Sequence, residues 1–456
     1  MFASIVFYGY WKVEYLSLLL GSVVVNYFIG NWLAATQSRH KRWVLTGGIV
    51  FNLSLLAYFK YVNFFIEIVN QLTGSQWPSL GVILPLAISF YTFQQIAYIV
   101  DSYSNLVEER SFSNYLLFVC FFPQLIAGPI VHHKWLMPQL KSIVNNPLRW
   151  RNFLGGLLLF TLGLSKKLLI ADSLSPYVQD TFDSPDVLTQ SSLLMTWAAA
   201  YAYTLQLYFD FSGYADMAIG LGFMFGIALP QNFLSPYRTS NIIDFWRGWH
   251  VTLSNFLRDY LYIPLGGNRK GETRRYVNLF LTMLLGGLWH GAGWTFVIWG
   301  ALHGTYLTIN HLWRHIFDMN NGFFQTLPYK ISCFLLTALA VIVAWVYFRA
   351  TSVEVANHMV TVMFSGDLDW GHLASIPQQV YVLFLLGTVI AAFPLRAISI
   401  ALLAVPLALA EEHYKEYGHL KLAIGHQWIV FVFAGMLMTL CIFALAEPME
   451  FIYFQF

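Results

Sequence analysis

From Leu279 to Leu302 the chain carries no Asp, Glu, Lys or Arg, and runs of that kind recur along its length. A helix of about twenty apolar residues crosses a hydrocarbon core of roughly 30 Å, so this recurrence constrains the fold more than any other feature. The clearest runs lie near 14–34, 44–70, 80–100, 154–171, 193–209, 279–302, 331–348, 380–395 and 427–446. The run 115–133 is interrupted by Pro123, Gly128 and Pro129. It reads as a broken or re-entrant segment, which is tolerated where protein or water covers the freed backbone. The expected fold is an all-α polytopic membrane protein with about ten or eleven transmembrane or re-entrant helices. Composition agrees: 57% of the 456 residues are hydrophobic and 11% are charged, whereas globular proteins carry about 25% charged residues. The net charge of +2 is too small to point to nucleic acid.

No internal repeat stands out, so residues 1–456 read as one membrane domain. Cys120, Cys333 and Cys441 are far apart in apolar surroundings and suggest neither a disulfide framework nor a metal cluster. A cleavable signal peptide is not expected, because the first apolar run follows Lys12 and Glu14 and lacks a small-residue cleavage site.

Lys and Arg accumulate in cytoplasmic loops. Arg39, Lys41 and Arg42 therefore place the first loop inside, as do Arg110, Lys141, Arg149 and Arg151 for later ones. The loop at Trp77–Ser79, the stretch Gln179–Ser192 and the acidic Phe364–Ser375 read as outside. Seven basic residues between Arg238 and Arg275 make that block the main cytoplasmic element, and the last apolar run carries the C-terminus outward.

Chemistry concentrates in the centre. His290 sits in Leu288-Trp-His-Gly-Ala-Gly-Trp294, inside an apolar run, and an ionisable side chain at that depth marks a functional site by default. Gly286, Gly287, Gly291 and Gly293 offer close approach of backbone or substrate, and Trp289 and Trp294 offer an apolar wall. An imidazole held there stays neutral and can take a hydroxyl proton. The bland alternative is a satisfied core histidine. His250 closes the polar run Asp244–His250 and is placed to orient or polarise a second reactant.

Phe256–Leu265 interleaves apolar residues with Arg258 and Asp259, and Gly266–Gly271 then turns. This reads as an amphipathic surface helix ending in a basic loop. Its cations either anchor lipid headgroups or meet the phosphates of a soluble acyl donor. For the second role the residues are Arg247, Arg258, Arg269, Lys270 and Arg274. Asp210 and Asp216 are intramembrane acids in need of partners, with Arg238 and Arg247 the candidates. His311 and His315 stand i, i+4 but lack a third ligand, so they read as an interfacial pair around Arg314. Gly220, Gly222 and Gly226 read as helix packing, and Ser212 lacks the glycine of a nucleophile elbow.

Five stretches carry a family likeness: Leu84–Gln94, Phe121–Ile130, Tyr208–Asp216, Asp244–Arg269 and Leu285–Gly304. On these the chain resembles the membrane-bound O-acyltransferase (MBOAT) family, in the bacterial branch that O-acetylates polysaccharides. The likeness covers roughly residues 80–305, the expected catalytic core. It implies a ring of tilted helices around a central tunnel, in a multi-pass protein of the bacterial cytoplasmic (inner) membrane. The family's membrane histidine falls on His290 and its upstream Asn/His position on His250. His132 occupies a position where this branch often has a functional polar residue, with interfacial packing as the alternative. Two departures stand out. Relatives usually carry a further apolar segment ahead of Phe7–Trp11, which leaves the segment count open by one, and residue 248 is Gly where the branch commonly has Arg.

The resemblance implies an acetyl group passed from a cytoplasmic thioester, acetyl-coenzyme A, to an exported glycan such as alginate, cellulose or peptidoglycan. No permanently bound cofactor or metal is expected. The implied partners are the donor, the bilayer and a secreted or periplasmic SGNH-type acetyltransferase. D-alanyl transfer from a carrier protein to teichoic acid is the alternative within the fold, and a transporter or flippase is the remote one. The C-terminal tail 447–456 ends Glu450-Phe-Ile-Tyr-Phe-Gln-Phe456, too apolar to stay in water. It reads either as an aromatic interface anchor or as a segment that folds back and presents Tyr453 as an acyl relay.

Overall fold

The computed structural model describes residues 1–143, 150–184, 186–188, 192–393, 396–405, 414, 427–445 and 452. Every regular element among them is helical, as the apolar runs require. Packing divides the chain into two units, one of Met1–Phe160, Met217–Pro230 and Val405–Lys421, the other of Thr161–Asp216, Gln231–Ala404 and Leu422–Phe456.

The first unit opens with α1 (Phe2–Trp11), α2 (Val13–Ala35), α3 (Lys41–Leu56) and α4 (Val62–Thr73), the last two joined by a π-helical turn at Ala57–Tyr61. Then come α5 (Ile88–Tyr103), α6 (Phe112–Cys120), α7 (Phe122–Leu125) and α8 (His133–Ile143). The run 80–100 starts its helix late because Pro85 precedes Ala87, whose φ of 62° lies in the left-handed region. The expected break in 115–133 is present: α6 stops at Cys120 and Pro123 opens the single turn of α7. Asn26 of α2, Asn52 of α3 and Gln95 of α5 are buried and bonded to one another, which ties the three helices together.

Two long rods follow. The first is α9 (Trp150–Ser165) continued by a π-turn at Lys166–Ala171 into α10 (Asp172–Phe182), and the second is α11 (Leu193–Met224). The second unit then adds α12 (Ile242–Gly248), α13 (Val251–Leu257), α14 (Glu272–His290), α15 (Trp294–Ile316), α16 (Gly322–Gln325) and α17 (Leu327–Arg349). It closes with α18 (Val353–Ser365), α19 (Trp370–Ser375), α20 (Gln378–Ala392), α21 (Ala397–Ala404) and α22 (Gln427–Ala444).

One sequence expectation is corrected here. The run 279–302 is not one crossing helix but the ends of two, α14 and α15, separated at Gly291–Gly293. Among the described residues five helical stretches are long and apolar enough to cross a membrane: Val13–Ala35, Lys41–Thr73, Trp150–Phe182, Leu327–Arg349 and Gln427–Ala444. The bent pair α20 and α21 would add a sixth. Other apolar runs fall short for visible reasons. α5 has only 16 residues, and α14 opens on Glu272, Arg274 and Arg275.

Candidate active site

The histidine singled out by the sequence terminates α14. A Cβ on Gly287 would collide with the Phe296 carbonyl and lie 2.9 Å from the Gly300 Cα, and one on Gly291 would collide with the Phe296 ring. Gly287 and Gly291 therefore seat α15 against α14, as small residues do between membrane helices, while Gly286 faces Leu257 of α13. Of the two alternatives the sequence offered, backbone or substrate, Gly287 and Gly291 serve the approach of α15. The same close packing holds the His290 ring. It is 5% exposed and lies edge-on to Trp289, Trp299 and Phe348, with centroids 4.9, 5.0 and 5.2 Å away. Trp294, the other expected wall residue, is exposed.

His250 is the residue before α13, and its φ of 42° puts a β-carbon residue in the left-handed region. Such a conformation persists only where its surroundings over-determine it, and here they do. Asn232, fully buried, accepts the Val251 N–H on its backbone oxygen at 3.0 Å. Its side-chain Oδ1 accepts the Thr252 N–H at 3.3 Å and the Thr252 hydroxyl at 2.9 Å. The same Oδ1 lies 3.0 Å from His250 Nδ1. A backbone N–H can only donate, which fixes the Asn232 oxygen on that side, so His250 must donate through Nδ1. In the neutral ring this leaves Nε2 with the lone pair. Asn232 thus sets both the backbone and the tautomer of His250, and sequence reading missed it.

The two histidine segments share one wall. Trp299 of α15 stacks 5.8 Å from Trp345 of α17, and Trp345 lies 4.9 Å from Trp249, the chain neighbour of His250. His303, one turn beyond Trp299 and completely buried, accepts the Trp246 indole N–H through Nδ1 at 3.2 Å. That bond ties α12, which leads into His250, to the helix packed against His290. His303 too was missed. The signal was its i+4 spacing from Trp299, which puts both on one helical face.

The intramembrane acids find different partners from those expected. Asp216 pairs with Lys166 at 2.5 Å, and Asp210 with Lys167 at 2.7 Å, while Lys167 also reaches Asp172 at 2.6 Å. Neither Arg238 nor Arg247 is needed, because the π-turn of the α9–α10 rod presents both lysines to α11.

Of the expected donor-binding cations, Arg247 pairs with Asp244 at 2.9 Å and Arg258 with Asp259 at 2.7 Å. Arg269, Lys270 and Arg274 are exposed; the first two lie on a turn that Asn278 anchors by donating to the Gly267 carbonyl at 3.0 Å, and Arg274 is in the first turn of α14. His311 meets Arg275 and His315 meets Glu272, so this i, i+4 pair is spent on separate partners. His132 belongs to the first unit, half-buried just before α8. Tyr453 and the rest of the tail 447–456 lie outside the described residues, except Ile452.

The family model described as MBOAT, membrane-bound O-acyltransferase family, matches residues 100–360. The chain is 42% identical to the peptidoglycan O-acetyltransferase of Helicobacter pylori, over all of this chain and 90% of that protein. It is 43% identical to the probable alginate O-acetylase AlgI of Azotobacter vinelandii, over 86% of this chain and 78% of that one. Likeness to the teichoic acid D-alanyltransferase of Bacillus subtilis is weaker, 26% over 69% of this chain and 78% of that one. Both histidine segments fall within the matched span, and the multi-pass helical architecture agrees with it. The protein belongs to the membrane-bound O-acyltransferase family and is an acyltransferase.

Proposed function

We propose that the protein takes an acetyl group from acetyl-coenzyme A at the cytoplasmic face of the bacterial inner membrane and passes it outward for O-acetylation of an exported glycan. Peptidoglycan is the acceptor of choice, and a secreted SGNH-type transferase completes the transfer. The observation that carries this reading is the 42% identity to a peptidoglycan O-acetyltransferase over the whole chain, with His290 and His250 both buried in one unit.

The chemistry follows from the ring environments. His290 removes the proton of the attacking hydroxyl, the oxygen bonds to the thioester carbonyl carbon, and the C–S bond breaks as the thiol leaves with that proton. His250, its Nδ1 committed to Asn232, offers Nε2 to hold the hydroxyl in line. The Tyr453 phenol is the first acceptor, since its acyl ester is activated relative to an alkyl ester and onward transfer to a serine is downhill. Arg269, Lys270 and Arg274 are the cations left to meet donor phosphates, with Arg247 and Arg258 beside them through their acid pairs.

The test is base-labile acetate on purified peptidoglycan from a deletion strain. Acetate should disappear, return with the wild-type chain, and stay absent with Tyr453→Phe. Unchanged peptidoglycan acetate alongside lost exopolysaccharide acetate, or lost D-alanine ester, would reassign the acceptor or the acyl group.

A further inference from the structure

Among α11, α12, α17 and α20, all in the second unit, lies a cavity of about 140 Å³ that neither His250 nor His290 lines. Its apolar walls include Leu205, Phe245, Phe334, Ala338, Val341 and Ala391. The hydroxyls around it are already bonded within the protein. Tyr201 and Thr388 bond each other, Tyr237 donates to the Thr204 carbonyl at 3.0 Å, and Thr239 donates to the Pro236 carbonyl at 2.8 Å. Thr204 and Thr337 donate to carbonyls of their own helices. A cavity of this size with apolar walls stays dry and takes an apolar guest of roughly six carbons. Phe334 of α17 and Thr388 of α20 line it and are themselves exposed, on helices whose Leu335, Leu336, Leu385 and Val389 are exposed too. In a membrane those faces meet lipid, so a guest enters from the bilayer.

Two exposed cations adjoin the lining residues. Arg238 stands between Tyr237 and Thr239, and Lys330 lies one turn ahead of Phe334 on the same face of α17. Among the described residues neither pairs with an acid. The Tyr329 hydroxyl, beside Lys330, accepts the Trp313 indole N–H at 3.1 Å. This end of α17 therefore meets the end of α15, where His311 and His315 reach Arg275 and Glu272. Both cations thus belong with the basic block that the charge pattern reads as cytoplasmic.

We propose that this groove binds an anionic phospholipid of the cytoplasmic leaflet, with one acyl chain in the cavity and the phosphate on Arg238 and Lys330. Wall and charge together select the occupant: the cavity accepts hydrocarbon, and the cations accept phosphate. The chain would bear on Phe245, whose ring stacks 5.7 Å from Trp249, the neighbour of His250. The lipid therefore supports the wall of the site without entering it, whichever acyl group is transferred.

The test is native mass spectrometry of the full-length protein in detergent, titrated with phosphatidylglycerol or with phosphatidylcholine. The parent should bind phosphatidylglycerol about tenfold more tightly. Arg238→Gln with Lys330→Gln, both at exposed positions that the fold does not need, should abolish that preference and leave phosphatidylcholine binding unchanged. Ala338→Phe fills the cavity and should weaken both lipids about tenfold, since each buried methylene contributes about fourfold. Ala338→Leu, a smaller filling, should weaken both by less and reads the groove even where the larger variant folds poorly. Arg39→Gln with Arg42→Gln removes two cations from another loop of the same face and should bind as the parent does. Undiminished binding in both Ala338 variants overturns the groove. Equal binding of the two lipids by the parent overturns the headgroup assignment. Loss of the preference in the Arg39 and Arg42 variant reduces the effect to general attraction of lipid to a basic surface, and overturns the site.

Discussion

In the first unit Ser22, Asn26, Asn52 and Gln95 are buried together and bond one another: Asn52 donates to Asn26 at 2.7 Å and Gln95 donates to the Ser22 hydroxyl at 3.1 Å. The second unit holds a cluster of ionisable groups, the buried His250, His290, His303 and Asp210 with the part-buried Lys166, Lys167, Asp172 and Asp216, beside neutral ones such as Asn232 and Asn278; the first unit buries Asp101 and His133 as well. Neutral amides that satisfy one another are buried at small desolvation cost, and here they hold three helices together. Ionisable groups cost far more to bury, and in the second unit they coincide with strained backbone, a chosen tautomer and a carboxylate that accepts the distant Ile452 N–H. The difference gives the amide cluster a holding role and makes the ionisable cluster the candidate for chemistry.

The sharpest attempt to break this contrast is His290→Ala. General-base assistance is worth about 10²–10⁴-fold, so glycan acetylation should fall by that range while the detergent-purified protein keeps its melting temperature within a few degrees. Full activity would make the aromatic box a core and nothing more. Asn232→Ala comes next. It frees the His250 ring to adopt either tautomer and relaxes the left-handed backbone, and acetylation should drop about ten- to a hundredfold. His250 substitutions added on top should cost little more, because residues that act as a unit are not additive. Replacing Arg269, Lys270 and Arg274 together by Gln should raise KM for the donor about tenfold at unchanged kcat, as expected of exposed cations worth under about 1 kcal/mol each. An unchanged KM would make the turn a lipid anchor. The smallest effect tests the first unit: Asn52→Leu should lower stability by about 1–2 kcal/mol and leave acetylation per folded molecule intact. If that variant folds normally but loses acetylation, the amide cluster is part of the machinery and the contrast fails.

Much of the candidate site was legible in the chain, but its connections were not. Pro123 and Gly128 announced a broken helix because proline and glycine act on the backbone locally. His290 stood out because ionisable groups are rare in apolar runs. The hairpin between α14 and α15 was hidden by the same run, since an apolar stretch looks alike whether it crosses a membrane once or folds back. The glycines near His290 were legible as close approach, but whether a helix or a substrate approaches was not. Asn232 carried no signal: one asparagine in a loop, 18 positions from the histidine it orients, looks like any turn residue.

The sequence by itself determined an all-helical membrane protein and marked two candidate histidines, because charge scarcity and proline placement act through local physics and can be read one position at a time; the acyltransferase reading came from the family likeness of whole stretches. Only the tertiary structure decided that Lys166 and Lys167 answer Asp216 and Asp210, that Asn232 chooses the His250 tautomer, and that Asp210 reaches Ile452. A hydrogen bond of about 3 Å is a matter of where two distant backbones come to rest, and no composition or spacing specifies that until the helices have packed.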